Sequence, residues 1–488
     1  MPRQKMQIPI TRWNICFICA GAVLTILGVA FLSCTSAIYD FIISSTLKLE
    51  PNSTLYKGWQ KPDGAIRFDI YLFNWTNPHE IGDPNIKPKF EEVGPYRYIH
   101  FKEKTDIVWN TDNETITYKY LKYFYFDEEN SPRHVSDVIT TINMVPLTTA
   151  HITDDWHLAV QLFVSTPVKR SPVFVQKTVK EILFDGYEDP VLSVLNAVPF
   201  VSDTEATKFG WFIGRNGSVG TDGVYNMRTT AGDEFATLKN WNYANHTSFF
   251  EGRCGKIYGS GGEMFPRNLK PTHIDVFSAE MCRTGRFNFA KKTAVKGIPG
   301  YKFTVGDEVF DNGTKLKENV CYDNSLPSGI LNVSSCKDHS PVFLSLPHFY
   351  YADPFYVDAV EGLHPEKDKH ELYMILEPNT GLILDLAARM QINVQLHPLD
   401  GFGNFANLPH LIFPVLWFEQ QVTVADELVA NLKLLFQLPK ILEIISLVII
   451  VVGILCIIGM IIYIMCFKMR NKKEEKRPKE EIPLNSKS

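Results

Sequence analysis

The chain reads as an α+β membrane protein in which two transmembrane helices flank a large, β-rich ectodomain with one helical cluster. Three observations predict this. No charged residue falls between Asn14 and Tyr39, and none between Ile444 and Phe467. Residues between these runs repeatedly show strand-like alternation or β-branched and aromatic composition. One region, residues 135–196, shifts to helical spacing instead.

Each apolar run exceeds the roughly 20 residues that an α-helix needs to cross the hydrocarbon core. A helix satisfies its own backbone polar groups there, so spans at 14–39 and 441–467 are expected. The first run is too long for the ~7–15-residue apolar region of a cleaved signal peptide. The N-terminal tail, residues 1–13, carries Arg3, Lys5 and Arg12 without an acid. The C-terminal tail, residues 468–488, carries eight basic residues against four acids. Positive residues beside spans stay cytosolic, so both tails are expected inside and residues 40–440 outside or lumenal. With a formal charge of −5 overall and +3 and +4 on the tails, the middle carries −12.

The middle bears the marks of an oxidising, glycosylating compartment. Asn52, Asn74, Asn113, Asn216, Asn245, Asn312 and Asn332 each begin an N-x-[ST] sequon, and all seven lie between the spans. Cys254, Cys282, Cys321 and Cys336 also lie there and read as two disulfides, with three pairings open. Their spacing fits no zinc site. The other five cysteines sit in or beside the spans. Cys16, Cys19 and Cys466 lie toward the cytosolic faces and are candidates for palmitoylation, the alternative being apolar packing.

Strand signals come first in chain order. Ile66, Phe68, Ile70 and Leu72 alternate with Arg67, Asp69 and Tyr71, and Thr115–Phe126 is β-branched and aromatic throughout. Tyr301–Val305 and Ile392–Leu396 read likewise. Within 135–196, Val175, Val179, Ile182 and Leu183 predict an amphipathic helix, with Lys177, Lys180 and Glu181 on its other face. A second amphipathic stretch, Ala425–Leu438, leads into the second span.

No catalytic constellation emerges, and neither a metal nor a cofactor is expected. His151, Asp154, Asp155 and His157 would share metal-ligand chemistry only on a favourable helix face, and a solvated surface is the simpler reading. Glu361, His364, Glu366, Asp368 and His370 read as a charged loop around Pro365. Tyr258-Gly-Ser-Gly-Gly262 lacks the first glycine of a nucleophile elbow. The glycines between Gly214 and Gly223 suit turns.

Several motifs converge on one family. Phe73-Asn-Trp-Thr-Asn-Pro-His-Glu80, Glu92-Val-Gly-Pro-Tyr-Arg-Tyr98 and Glu181-Ile-Leu-Phe-Asp-Gly-Tyr187 come first, then Thr221-Asp-Gly-Val-Tyr225. Leu344-Ser-Leu-Pro-His-Phe349, Glu361-Gly-Leu-His-Pro365, Glu377-Pro-Asn-Thr-Gly-Leu-Ile-Leu384 and Phe413-Pro-Val-Leu-Trp417 follow in order. On these the chain resembles the class B scavenger receptors, which include fatty-acid translocases, lipoprotein receptors, lysosomal integral membrane proteins and insect sensory neuron membrane proteins.

The resemblance implies an irregular antiparallel β core, a helical apex bundle at 135–196 and an apolar tunnel toward the membrane. It implies an apex that binds ligands through basic residues, here Lys169 and Arg170 with Lys177 and Lys180 on a following helix. It also implies the pairing Cys254–Cys321 and Cys282–Cys336; Asp323 stands where many members have a cysteine of a third disulfide. The tail sequence Glu480-Glu-Ile-Pro-Leu484-Asn485 lacks the second apolar residue of an acidic dileucine signal, which favours the cell surface over lysosomes. The expected function is therefore a non-enzymatic receptor and lipid transporter of the plasma membrane. Its expected partners are lipids and lipoproteins or other lipid carriers; no nucleic acid is expected, and a homo-oligomer stays open. Its cargo would be fatty acids, sterols, carotenoids or phospholipids. The alternatives are a lysosomal protein-sorting receptor, with pH sensing through His151 or His157, and a sensory co-receptor for lipidic odorants.

Overall fold

The computed structural model describes residues 12–62, 64–153, 158–196, 207–322 and 325–475. Asp154, Asp155, His157, Asp323 and the tails 1–11 and 476–488 lie outside them. The chain divides into two compact units, one formed by its two ends and one by residues 48–425.

The first unit is a pair of long helices, α1 (Arg12–Thr46) and one spanning Asp426–Glu475, which contain the two expected spans. The amphipathic stretch after Ala425 is the start of this same continuous second helix. The two helices approach closely where side chains are smallest. A Cβ on Gly21 would stand 2.8 Å from the Gly453 carbonyl oxygen, so backbone meets backbone there. Thr25 donates to the Gly21 carbonyl at 2.9 Å and Ser446 to the Leu442 carbonyl at 2.7 Å, which satisfies their hydroxyls within their own helices. Cys16, Cys19, Cys34, Cys456 and Cys466 are all exposed on the helix surfaces.

The second unit begins with α2 (Thr54–Gln60), capped by Ser53. The strands β1 (Ile66–Trp75), β2 (Phe90–Asn110) and β3 (Thr115–Phe126) follow. The segment 135–196 then runs β4 (Val138–Ile142), α3 (Met144–Thr153), α4 (Leu158–Arg170), β5 (Phe174–Thr178), β6 (Tyr187–Glu188) and α5 (Pro190–Asn196). Short strands β7 (Lys208–Phe209), β8 (Ser218–Val219), β9 (Tyr225–Arg228) and β10 (Leu238–Trp241) lead back into the sheet. It continues through β11 (His273–Ser278), β12 (Arg283–Val295), β13 (Ile298–Val305), β14 (Leu331–Asn332) and β15 (Val342–Ser345). After α6 (Pro354–Asp358) and α7 (Lys367–His370) come β16 (Tyr373–Leu376), β17 (Ile383–Leu396) and β18 (Leu411–Thr423). The helix Asp426–Glu475 is α8.

Fourteen strands form one antiparallel sheet, ordered β10-β9-β3-β2-β1-β18-β17-β16-β13-β12-β11, with β8, β14 and β15 attached off this path. The Thr115–Phe126 run is β3 itself. At the sheet's centre the simple alternation fails: Asp69 of β1 is fully buried, although its neighbours predict a solvent-facing position. Arg67 and Arg97 donate to its carboxylate at 2.8 Å and 2.9 Å, which compensates the buried charge.

The expected amphipathic helix over Val175–Leu183 is replaced by strand and π-turn. Residues 174–178 are β5, paired antiparallel with β4 so that Val175 faces Thr141. Glu181–Asp185 is a single π-helical turn. The β-branched Val173, Val175 and Thr178 favour an extended chain once a partner strand is at hand. Glu181 then stops the strand by accepting from the Thr178 amide at 2.9 Å and its hydroxyl at 2.6 Å. This segment shares its core with the sheet, since Val164, Val168 and Leu183 belong to one cluster with Phe73, Trp75 and Phe413.

The disulfides join Cys254 to Cys321 and Cys282 to Cys336.

Candidate functional site

The four basic residues expected to bind ligand, Lys169, Arg170, Lys177 and Lys180, are held in unequal ways. Lys169 and Arg170 end α4, where the negative end of the helix dipole favours cations. Both are exposed, and neither has an ion-pair partner among the described residues. A Cβ on Gly403 would touch the Lys169 backbone, so the loop at 403 packs against the end of α4 and fixes its position. Lys177 lies on β5, half-buried, with its ammonium 5.1 Å from the Tyr187 ring centroid. Lys180 pairs with Asp185 at 2.8 Å and is neutralised. Of the four, Lys169 and Arg170 are thus left without local ion pairs among the described residues, and the other two are committed locally.

The structure adds an apolar half to this surface. Leu162 and Phe163 on α4 are 57 % and 55 % exposed. With Thr166 they lie three, four and seven residues from Lys169 and Arg170, which places them on one helical face. Sequence reasoning missed them because their apolarity reads equally as core. Large exposed apolar side chains thus lie beside cations that have no ion-pair partner among the described residues, which makes this an amphipathic surface patch.

His151, at the end of α3, places Nδ1 3.2 Å from Nε2 of His397, whose other nitrogen lies 3.0 Å from the Pro398 carbonyl. The structure brings His410 near as well, with ring centroids 6.5 Å apart.

The interior contains a polar belt between apolar clusters. His100, Lys102 and Lys104 alternate along β2 opposite Phe124, Lys122 and Tyr120 of β3. Lys102 and Lys104 share Glu263, at 2.6 Å and 2.5 Å, and Lys104 also donates to the Trp59 carbonyl at 2.6 Å. Lys122 pairs with Asp222. Burial opposes ionisation of Glu263, yet the two lysines hold its carboxyl down to about 2. His100 stacks on Phe124 at 4.4 Å with both ring nitrogens unpartnered among the described residues. Burial, reinforced by Lys122 and Lys102, pushes its imidazole down to about 3.

The polar loop around Pro365 is tied to a second node, in which His348, His370 and Trp417 are buried and Glu92 stays partly open to solvent. Glu92 accepts from His348 Nε2 at 2.5 Å and from Trp417 at 2.7 Å. His348 Nδ1 accepts from the His364 amide at 2.9 Å, and His370 stacks on His348 at 4.4 Å. A Cβ on Gly362, whose φ is +97°, would strike the Phe90 carbonyl. Four of the quoted motifs therefore meet here, and Phe73 of a fifth packs edge-on against His348 at 5.2 Å. The node is a structural clasp, with no nucleophile among its members.

Ser260 in the glycine-rich turn is buried, and its hydroxyl donates to the Met264 carbonyl at 2.5 Å. Among the described residues no group of three His, Cys, Asp or Glu side chains is placed to hold a metal. The described surface includes two open, shallow concavities. One of about 640 Å³ is lined by Arg228, Lys239, His246, Arg253 and Lys256 with Glu234. The other, about 340 Å³, lies beside the Cys282–Cys336 bridge.

The sequon asparagines differ in setting. Asn52, Asn113, Asn216 and Asn245 are exposed, Asn74 and Asn332 half-buried, and Asn312 only 8 % exposed with Nδ2 donating to the Leu326 carbonyl at 2.6 Å.

Comparison with known proteins gives a consistent picture. The profile of a family described as the CD36 family matches residues 18–464. "Protein peste" of Drosophila melanogaster is 35% identical over 457 residues, covering 90% of this chain and 81% of its own length. "Lysosome membrane protein 2" of Homo sapiens is 30% identical over 480 residues, covering 96% of this chain and 98% of its own. "Scavenger receptor class B member 1" of Sus scrofa is 28% identical over 455 residues, covering 91% and 87%.

Proposed function

The chain belongs to the CD36 family, and from that premise we propose that it is a plasma-membrane receptor that docks lipid carriers at its apex and passes hydrophobic cargo to the bilayer. Both tails are cytosolic in this reading, and the ectodomain is extracellular. Cargo is a fatty acid, sterol, carotenoid or phospholipid. Its route is an apolar tunnel through the ectodomain, which spares it contact with water. The chain catalyses no covalent reaction.

The observation that carries this reading is the exposed face of α4. A lipid carrier presents apolar surface with anionic head groups or acidic side chains. Leu162 and Phe163 match the first, and the unpaired Lys169 and Arg170 match the second. The test is extraction of lipids from the full chain purified from glycosylating cells, followed by mass spectrometry. Co-purifying hydrophobic lipid above the level in an unrelated two-span protein is expected. Its absence, together with no binding of lipoprotein particles, overturns the proposal.

A second reading rests on His151 and His397. Their 3.2 Å contact lets one proton lie between two neutral rings, and protonation of both would set two cations against each other. That suits an apex that releases a protein partner on acidification, as a lysosomal sorting receptor would. Partner binding that is equal at pH 7 and pH 5 excludes it.

A further inference from the structure

The outward face of β2 and β3 presents an aromatic ridge. Phe101, Tyr123 and Tyr125 are 41 %, 36 % and 53 % exposed. Phe101 lies opposite Tyr123 in the ladder. Its ring centroid is 6.0 Å from that of Tyr125, which in turn lies 6.3 Å from Tyr123 with the planes 15° apart. Exposed aromatic rings clustered on rigid strands usually have a partner.

That partner can be located in the chain itself. The segment Asn216-Gly-Ser218 runs along the edge of β3, where Gly217 donates to the Lys122 carbonyl at 2.8 Å and Ser218 pairs with Lys122. A Cβ on Gly217 would lie 3.8 Å from Tyr123 Cε1. Asn216 is exposed, and its Oδ1 accepts from the Phe124 amide at 2.9 Å. This bond fixes the side-chain amide and leaves Nδ2, the atom that carries an N-linked sugar, without a partner among the described residues. Asn312 shows the contrast, since its Nδ2 is spent on a carbonyl.

We propose that an N-linked glycan on Asn216 folds back onto the ridge of Tyr123, Tyr125 and Phe101 and is a packed part of the ectodomain. The C–H faces of a saccharide ring carry partial positive charge and stack on the negative faces of aromatic rings, while its hydroxyls stay in water. The sugar covers apolar area that would otherwise face solvent and recruit other chains. The fixed Asn216 amide starts the glycan in one direction, which lowers the ordering cost of the stack.

The test uses the full chain from glycosylating cells and separates the sugar from the asparagine. Ser218→Ala abolishes the sequon while leaving Asn216 and its bond to Phe124, and Ser218→Thr keeps the sequon. Mass spectrometry of glycopeptides should find Asn216 occupied in the wild type and in S218T. S218A should melt lower by about 1–3 °C, and Y123S/Y125S should too. Adding S218A to Y123S/Y125S should cost less than S218A does alone, because the stack is already gone and only the 2.9 Å bond from the Ser218 hydroxyl to the Arg215 carbonyl is lost. As a measurement on unmutated protein, nitration of Tyr123 and Tyr125 should rise several-fold once the glycan is removed enzymatically under native conditions. An unoccupied Asn216, an S218A loss that is equal in both backgrounds, or nitration unchanged by deglycosylation overturns the proposal.

Discussion

Glu92 and His348, 256 residues apart in the chain, meet at 2.5 Å inside the ectodomain and share one proton direction. Because His348 Nδ1 accepts the His364 amide, its neutral ring carries hydrogen on Nε2 and donates it to Glu92. Burial pushes the Glu92 carboxyl up, but the hydrogen bonds from His348 and Trp417 hold it below its ordinary range.

Replacing Glu92 by Ala strands two buried donors at once. The E92A chain is expected to lose about 2–4 kcal/mol of stability, and E92Q, which keeps an acceptor, less than half of that. Chemical unfolding in detergent, followed by tryptophan fluorescence, checks this. Equal losses for the two variants would show that the charge, and not the acceptor, is what matters.

His100 makes the fold acid-sensitive. Its imidazole is faced by Lys122, Lys102 and Glu263 and stays neutral down to about 3, whereas the unfolded chain protonates near 6.5. The unfolded state thus binds the extra proton between those values, so stability rises with pH there and falls on acidification. At pH 5 the loss from this group is about 2 kcal/mol. Glu263, held near 2 against an ordinary 4.5, adds a loss of the same sign only as the pH falls below about 4.5, so it changes little between pH 7 and pH 5. His100→Phe, which preserves the stack on Phe124 and removes two unpartnered nitrogens, should reduce the fall in melting temperature between pH 7 and pH 5, with His370, which burial also pushes down to about 3, supplying a remainder of the same sign. An unchanged pH slope would contradict this.

Each disulfide closes a long loop, with sequence separations of 67 and 54. Removing either by paired Cys→Ser substitution should cost about 4 kcal/mol, the larger loop slightly more. Thermal melts of the two variants check this, and reduction of the wild type should reproduce both losses together.

What was legible in the sequence was what local patterning determines. The uncharged runs sit within α1 and α8, and the β-branched and aromatic stretch 115–126 is β3 residue for residue, because composition and burial agree there. Val175 and Val179 misled for a physical reason. Their spacing fits a helix, but the pairing of β5 with β4 outweighs so short a pattern. Alternation places Asp69 on a solvent-facing side of β1, but the guanidinium groups of Arg67 and Arg97 cover it there. The Glu92–His348 clasp was invisible since its members are brought together only by the sheet. Lys169 and Arg170 stand out in the sequence only through the family resemblance, whereas the apolar surface of Leu162 and Phe163 beside them is visible only from exposure.

The docking face is the centre of the functional account, and lipid uptake tests it most directly. Cells expressing the full chain would be given lipoprotein particles carrying a labelled sterol ester or fatty acid, and internalised label measured at matched surface expression. Wild type should exceed untransfected cells several-fold. K169E/R170E and L162S/F163S should each remove most of that excess by weakening docking. Uptake by both variants equal to wild type, with particle binding unchanged, would contradict the account.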